Sequence, residues 1–365
     1  MPAQLGSCAG IAVPCGASAE DAAPPLSPRP PGGCGCAVAC RAVPRAPSGR
    51  SRTATSTPHP TVVTLTPPLT DRGPVTILAA LTAHFRAAAP TTLADRPDAT
   101  VLRLGDTVVK AHAPGTDPAH LGRRLETAAG LPGVLLPPLT ASTEELHDRL
   151  ITSWPYGTPV DPETPAAAPW EAVAGLLARL HNSTPDPALA PMRGPAKAAR
   201  AVTRLRAALG TDPHPAARPV LDAWAALPAW ARAEAPMPGP AVLCHGDLHL
   251  GQLVRHPTPD GPWRLIDVDD LGLGVPAWDL ARPAAWYACG LLPPDDWTRF
   301  LTAYQEADGP AVPATGDPWP ALDVPARALT VQTAALAITK ALAAHRPPDE
   351  IEQAVVDACA RMSAL

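Results

Sequence analysis

Within residues 241–281, two acids, Asp247 and Asp267, each come after a short apolar run. An apolar run at residues 241–244 precedes the polar cluster His245-Gly246-Asp247. Residues 253–266 then form two apolar segments around a turn and lead directly to Asp267. This pattern predicts a β-hairpin with one acid at the mouth of each strand. Two carboxylates at adjacent strand ends can share a metal ion, or one can act as a base while the other binds the metal.

The spacing around the first acid is typical of phosphoryl transfer. That reaction places one carboxylate near the acceptor hydroxyl, while a second carboxylate and an amide oxygen hold magnesium on the phosphates. Gln252 follows Asp247 by five residues, at the position where the kinase pattern has its metal-binding amide. Asp269 and Asp270 are alternatives to Asp267, and Asp270-Leu271-Gly272 resembles the Asp-Phe-Gly signature of protein kinases. We favour Asp267, because it directly follows the apolar strand that would carry it back towards Asp247.

At these motifs the chain resembles the aminoglycoside phosphotransferase family, small-molecule kinases that share the protein-kinase fold. The family pattern is roughly H-G-D-x-x-x-x-N, then I-D-[FW], then G-D-P-x-x-D-L-A. This chain has His245-Gly246-Asp247, Ile266-Asp267-Val268 and, at residues 274–281, G-V-P-A-W-D-L-A. Gln252 stands in place of the usual Asn, and Val275 in place of an acid of the tail. The segment HGDLHLGQ also resembles the corresponding loop of maltokinases, which belong to the same broad group.

The resemblance implies an α+β protein with a two-lobed, protein-kinase-like fold. A small antiparallel-sheet N-lobe, with the hinge, would occupy residues 71–157. A larger, mostly helical C-lobe with the catalytic loop and the metal site would occupy residues 158–365. The implied reaction transfers the γ-phosphoryl group of ATP to a hydroxyl of a small molecule.

The resemblance also implies roles for individual residues. Asp247 would be the catalytic residue that orients or deprotonates the acceptor hydroxyl. Asp267 and Gln252 would hold Mg²⁺, and His245 and Asp279 would support the catalytic loop. From the residues alone, the default reading of Asp279 is an N-cap, because it precedes a helical pattern.

A lysine lies inside a predicted strand of the N-terminal half. Residues 98–104 and 107–112 alternate like two strands, and Lys110 lies on the second of them. The resemblance makes Lys110 the contact of the α- and β-phosphates, with Glu126 on the helix predicted at residues 119–129 as its ion-pair partner. The alternatives are a lysine that extends to solvent from an edge strand and a solvent-facing glutamate. No Gly-x-Gly-x-x-Gly loop precedes Lys110.

Other segments have recognisable helical or extended patterns. Residues 133–139 are apolar and β-like, and residues 150–157 predict a strand that the resemblance makes the adenine-binding hinge. Residues 170–181 predict an amphipathic helix that ends in His181, a packed or capping histidine rather than a catalytic one. Further helices are predicted at residues 75–88, within residues 200–230, at 326–345 and at 350–362.

Composition excludes several classes of partner. The net charge of −5 offers no basic surface for nucleic acid. No apolar run reaches the roughly 18 residues that a membrane span needs, and the first residues lack the pattern of a signal peptide. A cytoplasmic location is therefore predicted. The sequence does not indicate the oligomeric state.

Residues 1–70 are rich in Pro, Ala, Gly, Ser and Thr without a sustained period. Such a segment cannot bury enough apolar surface to offset its ordering entropy, so we predict disorder, or a start codon assigned too far upstream. Cys34, Cys36 and Cys40 lie here, but their spacing is not that of a zinc finger.

Two questions about function stay open at this stage. A pseudokinase that binds nucleotide or regulates a partner is the alternative to an enzyme, favoured by Val275, Gln252 and the missing glycine loop. The retention of Lys110, Asp247 and Asp267 favours catalysis. A polycationic acceptor would need an acidic pocket, whereas the maltokinase-like loop favours a neutral sugar. Acids that could form such a pocket are Asp269, Asp270, Asp295, Asp296 and Glu306.

Overall fold

The structure is a computed structural model that describes residues 76–86, 89–210 and 214–362. The segment predicted to be disordered, residues 1–70, lies outside these described residues. Within them, a lobe built on a five-stranded sheet is followed by a larger lobe that is mostly helical. This α+β arrangement agrees with the predicted class.

Each segment predicted to be helical contains a helix, although several bounds differ from the predicted ones. Their bounds are α1 (Ile77–His84), α2 (Pro118–Gly130), α3 (Trp170–His181), α4 (Gly194–Leu209), α5 (Ala217–Ala226), α6 (Ala277–Ala288), α7 (Pro294–Glu306), α8 (Trp319–Ala343) and α9 (Glu350–Met362). Short 3₁₀ turns lie at Pro165–Ala167 and Leu250–Gln252. None of the helices in the described ranges is both long enough and apolar enough to cross a membrane.

The strands are shorter than the helices and include several that the sequence pattern did not predict. Their bounds are β1 (Thr91–Arg96), β2 (Ala99–Leu104), β3 (Thr107–Ala111), β4 (Glu144–Leu146), β5 (Arg149–Pro155), β6 (Thr158–Pro159), β7 (Val242–Cys244), β8 (Leu253–Arg255), β9 (Trp263–Leu265) and β10 (Gly272–Gly274). The β-like reading of residues 133–139 is wrong, because this segment forms only an isolated bridge from Leu135 to Leu265.

The N-terminal sheet has the strand order β1-β2-β3-β5-β4, with every pair antiparallel. The tight turn between β2 and β3 contains Gly105 at φ 65°, a conformation that glycine adopts without strain. Leu102, Val109 and Ile151 pack beneath α1 in a small core of their own. Lys110 lies on β3, which is the central strand, so the edge-strand alternative for this lysine does not apply.

The second lobe is organised around α8, a helix of 25 residues that packs against α4, α5, α6 and α9. Its buried positions are largely alanine, including Ala328, Ala334 and Ala335. Small side chains at these positions allow the neighbouring helices to approach closely. This packing fixes α4 and α6, which both contribute side chains to the site described below.

The predicted hairpin forms, but only between two of the three apolar segments. β8 pairs with β9 in the register Leu253 with Leu265. The strand that precedes Asp247, β7, pairs instead with β10 in a separate two-stranded sheet. The expectation that both acids lie on one hairpin is therefore wrong, because three-residue strands find their partners through tertiary packing rather than through sequence proximity.

Candidate active site

The loop that carries Asp247 is anchored by one buried carboxylate. Asp279, fully buried in the first turn of α6, accepts hydrogen bonds from the backbone N–H groups of His245 at 2.6 Å and Gly246 at 2.7 Å. Gly246 has φ 83°, and a Cβ there would lie 2.4 Å from the carbonyl oxygen of Asp270. Only glycine fits this position without a clash.

Asp279 is itself held from the other side by His181. The ring of His181 donates from Nε2 to Asp279 Oδ2 at 3.0 Å, and its Nδ1 lies 2.7 Å from the hydroxyl of Tyr304. Burial raises the pKa of Tyr304 far above its usual range, so the hydroxyl is a donor here. His181 is thus a packed histidine with both ring nitrogens bonded, as the sequence predicted.

His245 links the loop to the hairpin. Its Nε2 donates to the carbonyl oxygen of Ile266 at 2.8 Å, one residue before Asp267. This hydrogen bond therefore joins the two acid-bearing segments. Both residues proposed as supports of the loop, His245 and Asp279, lie in positions that suit that role.

Asp247 lies between two cations. Its Oδ2 accepts from Lys197 Nζ at 2.6 Å, and its Oδ1 accepts from the Arg282 guanidinium at 2.9 Å. Burial alone would raise the pKa of Asp247, but the charges of Lys197 and Arg282 outweigh it and hold that pKa well below the usual range. The carboxylate is therefore ionised throughout the physiological pH range.

Lys197, on α4, bridges two acids of the site. Besides Asp247, its ammonium group donates to Asp270 Oδ2 at 2.7 Å. Burial would lower the pKa of Lys197, but Asp270 and Asp247 outweigh it and raise that pKa. Burial raises the pKa of Asp270. Asp270, the acid of the Asp-Phe-Gly-like segment, thus forms an ion pair with Lys197, whereas Gln252 contacts Asp267.

Asp267 ends the hairpin with its backbone in the left-handed region, at φ 68°. Aspartate enters this region more readily than most residues, which lets the chain leave β9 without a glycine. Lys110 donates to Asp267 Oδ1 at 2.7 Å and forms a second ion pair with Asp269 Oδ2 at 3.0 Å. Burial would lower the pKa of Lys110, but the two carboxylates outweigh it and raise that pKa. One lysine thus joins the sheet of the first lobe to the acids of the second.

The oxygens around Asp267 form a set that a hard divalent cation prefers. The Gln252 amide lies 3.5 Å from Asp267 Oδ2, and a half-turn of the amide exchanges its nitrogen for its oxygen. Asp269 is adjacent, held by His112 Nδ1 at 2.7 Å. Burial opposes ionisation of Asp269, but Lys110 and His112 hold its pKa well below the usual range.

Glu126 does not pair with Lys110, and this expectation is corrected by the structure. Glu126 is exposed on α2, and the ion pairs of Lys110 go to Asp267 and Asp269. The face of α2 that turns inward carries Leu121, Leu125 and Arg124. Arg124 Nε donates to the carbonyl oxygen of Leu271 at 2.9 Å, so an arginine takes the buried polar position of this helix.

Three residues of the site were missed by the sequence reasoning. Arg282 could have been predicted from the sequence, because it follows Asp279 by three residues on α6 and so shares its face of the helix. Lys197 and His112 had none, because a lysine in an alanine-rich helix and a histidine after a strand are ordinary. Val275, where the family pattern has an acid, packs partly buried against the apolar core.

A cavity of about 620 Å³ adjoins the catalytic loop. Its walls come from residues 160–168, α3, the loop itself, α6 and the start of α7. Arg282 lines it and also bonds to Asp247, so a molecule in this cavity would lie beside the Asp247–Arg282 pair. A volume of this size is typical of a site for a small organic molecule.

The sheet lobe, the helical lobe and the acids between them define a kinase-like fold. A model of the family described as "Phosphotransferase enzyme family" (APH) matches residues 100–323. The chain belongs to this family. The proposed site residues all lie inside the matched segment.

Solved structures with the same fold are distant in sequence. A choline kinase, LicA from Streptococcus pneumoniae, has a TM-score of 0.51 at 14% identity, over 79% of this chain and 98% of that one. A thermostable mutant of aminoglycoside phosphotransferase APH(4)-Ia, in ternary complex with AMP-PNP and hygromycin B, has 0.51 at 14%, over 78% and 97%. A choline/ethanolamine kinase family protein from Mesorhizobium loti has 0.50 at 15%, over 76% and 87%. No curated protein matches the sequence.

Proposed function

We propose that the protein transfers the γ-phosphoryl group of ATP to a hydroxyl group of a small molecule. The observation that carries this proposal is the convergence of Asp247, Asp267, Gln252 and Lys110 from three separate segments into one site between the lobes. The APH(4)-Ia complex supports it, because that protein of the same fold binds AMP-PNP and hygromycin B together.

Asp267 and Gln252 would hold Mg²⁺, with Asp269 as a further carboxylate within the same cluster. The donor set fits, because it consists of carboxylate and amide oxygens, the ligands that Mg²⁺ takes in phosphoryl-transfer sites. The ion would neutralise the charge of the phosphates. Before nucleotide binds, Lys110 neutralises this cluster, which explains how the partly buried Asp267 and Asp269 remain ionised.

Lys110 would contact the α- and β-phosphates when the nucleotide is bound. Lys110 lies on β3, at the centre of the sheet. Its partner Asp267 follows β9 in the other lobe. Phosphates arriving at this position would share the ammonium group with Asp267. The lysine would thereby position the nucleotide relative to the metal ligands.

Asp247 would accept a hydrogen bond from the acceptor hydroxyl and aim its oxygen at the γ-phosphorus. Its pKa is held so low by Lys197 and Arg282 that it is a weak base. The transition state of phosphoryl transfer is loose, and orientation contributes more than early proton removal. A weakly basic, firmly held carboxylate suits that role, with the proton moving to Asp247 late in the reaction.

The link between the lobes is the candidate contact for adenine. β5 ends at Pro155, and β6 begins at Thr158 and pairs with β8 of the second lobe. A Cβ on Gly157 would meet Val254 Cγ2 at 2.5 Å, so the link lies directly against the hairpin. The backbone groups of this link are the ones we propose for adenine binding.

The proposal is tested by ADP release from Mg-ATP with a panel of acceptors: aminoglycosides, sugars, amino alcohols and apolar alcohols. Acceptor-dependent ADP that is lost in Asp247→Asn, while Mg-ATP still raises the melting temperature of both proteins, is the expected result. A thermal shift with Mg-ATP but no turnover with any acceptor would favour the pseudokinase alternative. The absence of both turnover and nucleotide binding would refute the proposal that the protein is a kinase.

A further inference from the structure

The cavity beside the catalytic loop is mostly apolar. Its wall includes two tryptophans, four prolines and several aliphatic side chains, among them Val160, Trp170, Leu248, Trp286, Leu292 and Pro293. Trp170 and Trp286 are themselves almost completely buried by the protein. Such a surface favours an apolar ligand, because each apolar group removed from water on binding contributes favourably.

The acids of the wall are mostly engaged with the protein. Asp161 accepts from the backbone N–H of Glu163 at 3.0 Å and from the hydroxyl of Thr164 at 3.1 Å. Asp296 pairs with Arg299 at 3.0 Å, and that arginine also binds Glu171. Among the residues that the structure describes, Asp295 is the wall acid whose side chain has no partner.

A polycation would find too few unpaired carboxylates in this cavity. Each ammonium group placed against an apolar wall loses its hydration without a compensating partner, which opposes binding. One free carboxylate, at Asp295, can offset one such group at most. The distribution of charge therefore disfavours an acceptor with several amino groups.

The end of the cavity next to Asp247 offers donors rather than acids. Arg282 lies there, with hydrogen bonds to Asp247 and to the carbonyl oxygen of Leu248. His249 accepts from the backbone N–H of Gly251 at Nδ1, over 3.1 Å, which leaves its proton on Nε2. Burial and the charge of Arg282 lower the pKa of His249 to about 4, so this ring is neutral near pH 7.

We infer that the acceptor is an uncharged, largely apolar alcohol, bound with its hydrocarbon part between Trp170 and Trp286 and its hydroxyl end towards His249, Arg282 and Asp247. This inference rests on the proposed function and adds the chemical class of the acceptor. Hydrogen-bond donors at the catalytic end would hold an alcohol oxygen, and the apolar walls would exclude water from the reacting group.

The test uses 2-(1-naphthyl)ethanol as the apolar probe, with kanamycin and maltose as the polycationic and neutral-sugar probes. Binding is measured by calorimetry in the presence of Mg-AMP-PNP, and turnover by ADP release from Mg-ATP. We expect the naphthyl alcohol to bind and to be phosphorylated, and the other two to be weaker in both assays. A preference for kanamycin or maltose would overturn the inference while leaving the proposed function intact.

Two substitutions on one 3₁₀ turn provide a matched pair. Ala166 lines the cavity and is exposed, so Ala166→Trp would fill the cavity without disturbing the core. Ala167, its exposed neighbour, does not line the cavity, so Ala167→Trp is the control. We expect Ala166→Trp to raise the Kd of the naphthyl alcohol by about tenfold or more, and the control to leave it within about twofold.

The outcomes separate the two proposals. Equal effects of the two tryptophan substitutions, or no heat of binding with the naphthyl alcohol, would overturn the inference about the cavity. Binding of the alcohol that Ala166→Trp weakens, without ADP release, would support the cavity and count against the proposed reaction. Asp295→Asn adds a further check, because it should leave the Kd of the alcohol unchanged and would raise KM only for a cationic acceptor.

Discussion

The fully buried Asp279 and the partly buried pair Asp247 and Asp267 are satisfied in different ways. Asp279 accepts hydrogen bonds from two backbone N–H groups and from a histidine ring. Asp247 and Asp267 are instead held by the long side chains of Lys197, Arg282 and Lys110. Backbone donors have no other position to adopt, whereas an ammonium group on a four-carbon stem can move to a phosphate. The first arrangement fixes a loop, and the second keeps acids ionised until a ligand arrives.

The comparison predicts that the second group serves catalysis and contributes little to stability. Asp247→Asn should lower kcat by about 10²–10⁴-fold, the range that a positioned proton acceptor contributes. Its melting temperature should change little, because Arg282 keeps Leu248 as a partner and Lys197 keeps Asp270. Steady-state ADP release and thermal unfolding measure the two quantities. A large fall in the melting temperature of Asp247→Asn would mean that Asp247 stabilises the fold in the way expected of Asp279.

The first group should show the opposite behaviour. Asp279→Asn presents an amide NH₂ to backbone donors in a fully buried site, so the free energy of unfolding should fall by about 3 kcal/mol or more. Denaturant unfolding measures this change. Glu171→Gln, which removes an exposed pair with Arg299, is the control and should cost no more than about 1 kcal/mol. Similar losses in the two variants would mean that Asp279 does not anchor the loop.

Removing one cation from Asp247 sharpens the comparison. Lys197→Met leaves Arg282 on α6, His249 on the loop and Asp270 facing the carboxylate, so the pKa of Asp247 should rise towards its ordinary value. Because Asp247 must be ionised to accept the hydroxyl, the acid limb of kcat/KM should then move to higher pH.

The control for this substitution is Lys197→Arg, which keeps the charge and should keep the wild-type pH profile. Activity would be compared between about pH 3 and 8, a range that brackets ordinary carboxyl and histidine pKa values. A uniform loss of kcat at every pH, without movement of the acid limb, would assign Lys197 a purely structural role.

The smallest effect is expected at Glu126. Since this glutamate is exposed and Lys110 binds other acids, Glu126→Gln should change stability by no more than about 0.5 kcal/mol and kcat by less than about twofold. Lys110→Met, measured beside it, should lose most of the activity. A large loss in Glu126→Gln would show that α2 changes its orientation when nucleotide binds.

The features that could be predicted from the sequence are those fixed by local spacing. The helix at residues 170–181 and the strand bearing Lys110 follow from short-range periodicity, and both form as predicted. The three-residue strands β7 and β10 could not be paired from the sequence, because strands this short carry little pattern and β10 has glycine at both ends. The prediction that Glu126 pairs with Lys110 was wrong for a similar reason, since the direction of side chains on α2 depends on what the helix packs against.

The sequence by itself predicted which residues between 245 and 281 belong to the loop, to the hairpin and to the start of a helix, because each of these elements has a local sequence signature. Tertiary structure decided which charges surround Asp247. Lys197 lies 50 residues before it and Arg282 lies 35 residues after it, and both arrive only because α4 and α6 pack on α8. Contacts over such separations depend on the packing of whole helices, and no short stretch of sequence encodes that packing.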